Sequence, residues 1–442
     1  MMAACWVGEL RRARNRSERG NRMTRQERQG WIIVASLFVT LLVVFGGGYN
    51  TFSVFLAPLL DHFKWDRAKL STLQSALAIA AGFSTPVVGW VLDRVEARLV
   101  MVAGAACAGL ALIGASQAHS YPWLLGCYLL LGIGIAGTTL LPCSMVVANW
   151  FAARRGIAMG IALAGTSVGG MIMTIAAAYA IAWRGWRAGY LALGVPMLVV
   201  VIPVVLLMVR TRPQSDLPRA SMLEETKSLP GLEVGAALRA RSFWMIAIAQ
   251  FCFSFSAAGA VAHLVTYLIG IGYAATRAAL VIGLVFGLTS LGKLAMGSFA
   301  DRASGRVALS VNFLIASAGF LMVLGAGNLA ILAGFVLVFG LTLGAPLVLM
   351  PLLIVESLGL KRFGTVAGMT GVCGTVGAAL GPIAAGHIYD VNHSYTHAFL
   401  MFVAMLLVGA VATYQCLPLE AEPVRGEKLA VAGTREEAGG GL

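Results

Sequence analysis

Apolar runs of 18 to 28 residues, separated by short polar or charged stretches, fill the chain from residue 31 to residue 417. They fall at 31–57, 68–92, 99–116, 122–149, 156–182 and 188–209, then at 243–270, 278–300, 307–325, 329–355, 364–387 and 398–417. A helix needs about 20 residues to cross the hydrocarbon core of a bilayer. A membrane β-strand needs only about 9–11, so runs of this length read as helices. Backbone polar groups inside lipid are satisfied only within helices or closed barrels. The pattern therefore predicts an all-α membrane protein with twelve transmembrane helices. Many of the 53 glycines lie inside these runs, where small residues let helix backbones approach closely.

Composition supports the same class. Hydrophobic residues make up 59% of the chain and charged residues 12%, about half the usual charged share of a soluble domain. The mean hydropathy is +0.85. A soluble enzyme, a disordered chain and a disulfide-stapled scaffold are all excluded. Six of the seven cysteines sit in apolar runs with no CxxC pair, so they read as small packing residues.

The net charge of +13 would suggest nucleic acid on a soluble protein, but its placement points elsewhere. With twelve spans, one side of the membrane collects 25 Lys and Arg and the other collects six, leaving Lys293 inside a span. The positive-inside rule then puts both termini in the cytoplasm. Membrane lipids, not nucleic acid, are the expected partner of the excess charge. The first 30 residues carry eight Arg with no apolar run before Trp31, so no cleavable signal is expected. Met23, which opens a short basic lead into the first span, is an alternative start.

The chain repeats itself. Adding 208 carries Gly89, Asp93, Arg94 and Arg98 onto Gly297, Asp301, Arg302 and Arg306. The same shift carries Arg154, Gly156, Gly160 and Gly169 onto Arg362, Gly364, Gly368 and Gly377. A linker at 210–241, with three prolines and mixed charges, separates the copies. The expected domains are a basic N-tail (1–29), a six-helix bundle (30–209), the cytoplasmic linker (210–241), a second six-helix bundle (242–417) and a C-tail (418–442).

The motif G-x-x-x-D-R-x-x-x-R after the second span and again after the eighth resembles the cytoplasmic loop signature of the major facilitator superfamily. The resemblance covers the chain from residue 31 to 417. It departs from the usual loop at Glu96 and Ser304, where glycine is favoured. It implies two pseudo-symmetric six-helix bundles that rock about a central site, with the charged loops latching the cytoplasmic side. Asp93, Arg94, Arg98 and Arg154 are expected to form one latch, and Asp301, Arg302, Arg306 and Arg362 its twin. Charges that only anchor loops at the interface are the plainer alternative.

A narrower resemblance lies in N-W-F-A-A-R-R-G-I-A-M-G-I-A-L-A-G-T-S-V-G-G (149–170), G-W-R-A-G-Y (185–190), H-L-V-T-Y-L (263–268) and G-P-I-A-A-G-H-I-Y-D (381–390). These stretches are similar to monocarboxylate transporters and to the related bacterial oxalate/formate antiporters. The resemblance implies secondary transport of a small carboxylate with a proton or by exchange, without a metal or cofactor, by a monomer in the plasma membrane (the inner membrane of a bacterium).

Lys293 is the leading site residue. A cation at the bilayer centre costs about 2.5–3.5 kcal/mol on insertion scales, so it needs a partner or a task. In the resembling families this position is commonly Arg and binds the substrate carboxylate. Lys keeps the charge but lacks the bidentate fork. A lysine reaching toward the interface is the alternative. Tyr49 and Asn50 are expected midway through the first span, facing the cavity. Asn50 stands where eukaryotic relatives carry a proton-linked Lys. Leu140 stands where relatives often carry a substrate-facing Tyr, which argues for a bulkier or more apolar substrate than oxalate. His263 in the seventh span is read either as a substrate contact or proton carrier or as a packed side chain bonded to a backbone carbonyl. Tyr267, one turn on, is balanced between substrate contact and packing in the same way. Pro142, Pro346 and Pro351 are expected to break or kink the fourth and tenth spans. An exporter of hydrophobic compounds is the alternative function. A membrane sensor or enzyme is the third, though the chain carries no phosphate-binding loop of the G-x-x-x-x-G-K-[ST] kind.

Overall fold

The computed structural model describes residues 25–49, 51–65, 67–151, 154–211 and 230–419. Asn50, Met23, most of the linker, nearly all of the C-tail and all but the last few residues of the N-tail lie outside them. Twelve helices are long and apolar enough to cross a membrane. They are α1 (Glu27–Tyr49), α2 (Thr72–Leu92), α3 (Ala97–Ser116), α4 (Tyr121–Trp150), α5 (Arg155–Arg184) and α6 (Trp186–Met208). Their counterparts are α7 (Arg241–Gly270), α8 (Leu280–Ala303), α9 (Gly305–Val323), α10 (Leu329–Leu358), α11 (Phe363–Asn392) and α12 (Thr396–Tyr414). No strand occurs among the described residues.

The repeat seen in the sequence is a repeat in packing. Helix α1 lies on α5 as α7 lies on α11, α2 on α4 as α8 on α10, and α3 on α6 as α9 on α12. Two seams join the halves, α5 against α8 and α2 against α11, and the 208-residue shift turns one into the other.

Glycines make both seams tight. A Cβ on Gly89 would meet the Gly364 carbonyl at under 3.0 Å, and one on Gly156 would meet the Gly297 carbonyl equally closely. Higher along the same seams, Gly368 abuts Pro86, and Gly160 abuts the backbone of Lys293. Further along α8, Gly283 and Gly287 face open space. The halves are thus joined from the Asp93–Asp301 end to mid-span.

Breaks fall near the expected prolines, with one exception. Within α4 the helix is interrupted at Thr139, three residues before Pro142. Within α10 the break is at Gly344, so that Pro346 starts a new helical segment. Pro351 sits inside that segment with no interruption. The first span differs from the sequence expectation. Tyr49 ends α1 instead of lying midway, and a separate short helix, Phe52–Phe63, follows. Helix α6 carries a wide turn at Met197–Val201 directly after Pro196, where a missing N–H removes one bond from the ladder.

Candidate functional site

Lys293 points from α8 across the seam to α5 and is 2% exposed. Its ammonium donates three hydrogen bonds to α5: to the Leu163 carbonyl at 3.2 Å, to Thr166 Oγ1 at 2.6 Å and to Ser167 Oγ at 2.8 Å. Thr289, one turn before Lys293 on the same face of α8, meets Ser167 Oγ at 2.8 Å. The Lys293 side chain lies against Gly344 at the break in α10, where an added Cβ would meet its Cε at 3.1 Å. The ion pairs among the described residues do not include Lys293, and it is their one buried cation. Neutral oxygens use its three N–H groups and leave its charge uncompensated.

Asn50 lies outside the described residues, and Tyr49, His263 and Tyr267 have other partners. Tyr49 stacks on Phe45 with ring centroids 5.1 Å apart, and its carbonyl accepts a bond from Gln74 Nε2 at 3.3 Å. The Gln74 Oε1 atom is buried without a partner among the described residues. His263 bonds the Tyr395 hydroxyl through Nδ1 at 3.1 Å and the Pro382 carbonyl through Nε2 at 3.0 Å. Tyr267 donates to the Val323 carbonyl at 2.9 Å and packs edge-on against Tyr395 and Phe399. His263 and Tyr267 therefore tie α7, α9, α11 and the start of α12 together within the second half. Their hydrogen bonds do not reach Lys293.

Thr166, Ser167 and Thr289 are the residues that sequence reasoning missed. The available signal was a hydroxyl pair inside a glycine-rich apolar run, together with a threonine about one helical turn before the lysine. Neither points to the other without the packing of α5 on α8.

At the Asp93 end the two acidic motif residues cap helices of the opposite half. Asp93 Oδ1 accepts from the Gly364 N–H at 2.9 Å, and Oδ2 accepts from the Thr365 N–H at 2.9 Å and from the Thr365 hydroxyl. Asp301 Oδ1 accepts from Gly156 N–H at 2.6 Å, and Oδ2 from Ile157 N–H at 2.9 Å. A carboxylate at a helix N-terminus satisfies orphan N–H groups and meets the positive end of the helix dipole. The close glycine approach one turn earlier brings each carboxylate within reach.

This corrects the expected grouping. Asp93 belongs with the helix that follows Arg362, and Asp301 with the helix that follows Arg154. The arginines have other roles. Arg94 donates to the Trp90 carbonyl at 2.9 Å and lies over the Trp90 ring, and Arg98 pairs with Glu96 at 3.0 Å. Arg306 reaches the Cys416 carbonyl at 3.4 Å. Arg154 adopts φ 63° at the start of α5, and its side chain is exposed, as is that of Arg302. Arg362 pairs with Glu233 at 2.9 Å, and Lys361 pairs with the same carboxylate at 3.2 Å.

Burial pushes the Asp93 carboxyl above its ordinary range, while the bonds from Thr365 and Gly364 and the charge of Arg362 pull it back. The exposed Glu233 is held below its ordinary range by its bond to Arg362. Beside the Asp301 cap lies a cleft of about 610 Å³ lined by Trp31, Arg154, Arg155, Asp301, Arg302 and Glu356. Glu356 also caps a helix, accepting the Gly305 N–H at 2.8 and 2.9 Å.

Comparison with known proteins returns a single architecture. The family model described as Major Facilitator Superfamily matches residues 37–382 and, in an overlapping match, 289–437. The chain is 25% identical over 415 residues to the uncharacterized MFS-type transporter YcxA of Bacillus subtilis (strain 168), covering 90% of this chain and 97% of that protein. It is 26% identical over 388 residues to monocarboxylate transporter 13 of Rattus norvegicus, covering 86% and 87%. Among solved structures, the E. coli fucose:proton symporter FucP superposes with a TM-score of 0.68 at 15% identity, covering 86% of this chain and 98% of that one.

Proposed function

The chain belongs to the Major Facilitator Superfamily, and from that premise we propose that it carries a small organic anion, a monocarboxylate, across the plasma membrane by alternating access. The observation that carries this reading is Lys293, a buried ammonium in the seam between the halves whose partners among the described residues are neutral oxygens. A carboxylate entering beside Ser167 supplies the missing charge. The binding of an anion to an ammonium is about twice as strong as a hydrogen bond between neutral groups. The similarity to proteins named monocarboxylate transporters supports the substrate class. Because Lys293 is the one buried cation among the described residues, a single carboxylate fits better than two.

The charge asymmetry of the loops supports a cytoplasmic location for both termini and for the Asp93–Asp301 end. In that orientation the crosswise caps close the cytoplasmic side, and transport requires them to open. Tyr49, Tyr267 and Asn50 remain candidate contacts in other states of the cycle, whereas His263, with both ring nitrogens bonded within its own half, serves packing. The arginines of the motif steady the loops that present the caps. A coupled proton or a counter-anion completes the cycle.

Uptake of labelled L-lactate, pyruvate and butyrate into proteoliposomes tests the proposal. Lys293→Ala is expected to lower uptake at least about tenfold, the effect of losing about 1.4 kcal/mol of interaction, and Lys293→Arg to retain a measurable share. Transport of neutral lipophilic solutes, with Lys293→Ala indistinguishable from the parent, would replace this reading with the exporter of hydrophobic compounds.

A further inference from the structure

The two seams between the halves are related by the repeat, yet only one is fastened at mid-span by a buried cation. On α8 and α5, Lys293 reaches across to Leu163, Thr166 and Ser167. The 208-residue shift replaces Lys293 by Thr85 and Ser167 by Thr375 in the α2–α11 seam. There, Thr85 donates to Ala81 and Thr375 to Gly371, each within its own helix. The α2–α11 seam is therefore closed by packing and by the Asp93 cap. The α5–α8 seam has an additional bolt at mid-span.

We infer that the hydroxyls of Thr166 and Ser167 are a resident stand-in for the substrate: they hold the Lys293 ammonium while the site is empty and give it up when a carboxylate binds. This rests on the anion reading above. The exchange follows from the donor and acceptor inventory. An ammonium offers three N–H groups, and a carboxylate offers about four lone-pair sites. A bound carboxylate can take the ammonium on one oxygen and turn the freed hydroxyls into donors to the other. Ser167 is half-buried whereas Lys293 is sealed, so the anion meets Ser167 first.

The consequence is a rule for when the halves separate. Parting α5 from α8 in the empty protein would strip a cation of its partners in a low-dielectric interior, which is strongly unfavourable. With anion bound, Lys293 keeps a partner that travels with it. The empty carrier is thereby held closed at the Asp301 end, and exchange of one carboxylate for another outpaces net flux.

Hydrogen–deuterium exchange on the full-length protein in nanodiscs tests this. The readout is the exchange of the Gly156 and Ile157 amides, which donate to Asp301 only while the seam is closed. In the absence of anion, Thr166→Ala/Ser167→Ala is expected to exchange these amides about tenfold faster than the parent, the effect of losing one to two net hydrogen bonds. The conservative pair Thr166→Ser/Ser167→Thr keeps both hydroxyls and should stay near the parent rate. If the double alanine protein does not fold, Ser167→Ala alone replaces it. Sodium L-lactate, and pyruvate and butyrate in parallel, should speed exchange in the parent and have little effect on the hydroxyl-free protein. An unchanged rate in the hydroxyl-free protein overturns the inference even if the anions act on the parent, which would leave the anion reading standing. Faster exchange in the hydroxyl-free protein with no response of the parent to any of the three anions overturns the exchange step together with the anion reading.

Discussion

Replacing Gly89 by alanine places a methyl group under 3.0 Å from the Gly364 carbonyl oxygen. Ordinary carbon contacts begin near 3.5 Å, so α2 and α11 must part by about 1.5 Å. The Asp93 bonds to the Gly364 and Thr365 amides, now 2.9 Å each, would then stretch to roughly 4.4 Å, beyond hydrogen-bonding range. Asp93 is 5% exposed, so water does not readily replace them. Net hydrogen bonds to charged groups contribute about 1.5–3 kcal/mol each, and partial relaxation recovers some of that. A loss of about 3 kcal/mol from the closed state is expected, lowering the closed-to-open ratio on the order of 100-fold. The twin change, Gly297→Ala, should cost about 1–2 kcal/mol, because Asp301 is exposed and water competes for its bonds. Gly287→Ala, whose Cβ meets nothing within 4 Å, is the control. Electron–electron distance measurements between spin labels at Leu99→Cys and Tyr414→Cys report the opening. These positions lie on opposite halves and are both exposed; the native cysteines are replaced. A distance distribution for Gly89→Ala that superimposes on that of Gly287→Ala would refute the reasoning.

Three further outcomes follow from the same contacts. Burial raises the Asp93 carboxyl in the latched state, so that state binds its proton more tightly than the open one. The closed population should therefore rise as pH falls through the window between the raised and the ordinary carboxyl range, and decline as pH rises through it. The same spin labels read this shift, and Asp93→Asn should remove it. His263→Ala removes bonds to Tyr395 and Pro382, so it is expected to lower thermal stability by about 1–3 kcal/mol while leaving L-lactate affinity near that of the parent. A large affinity loss without destabilisation would make His263 a direct ligand. Glu233→Gln breaks an exposed pair with Lys361 and Arg362, and calorimetry should register a change of less than about 1 kcal/mol.

Span number, helical class and the internal repeat were legible in the chain because each depends on local composition and spacing. Twenty apolar residues in lipid have little choice but a helix, and an offset of 208 is visible by counting. The isolation of Lys293 was legible for the same reason. Its surroundings were not, since Thr166 and Ser167 lie more than 120 residues away on another helix and carry no mark of their own. The crosswise caps were hidden too. The repeat pairs Asp93 with Asp301 as equivalents, yet the contact that matters joins Asp93 to the neighbourhood of Gly364. The end of the first helix at Tyr49 was equally unreadable, because Y-N-T-F offers no proline to announce it. Sequence alone settled what each segment must be in a bilayer, through the cost of exposed backbone and charge. Only the tertiary structure decided which segments meet, because hydrogen bonds across a seam depend on how closely two glycine-lined backbones approach.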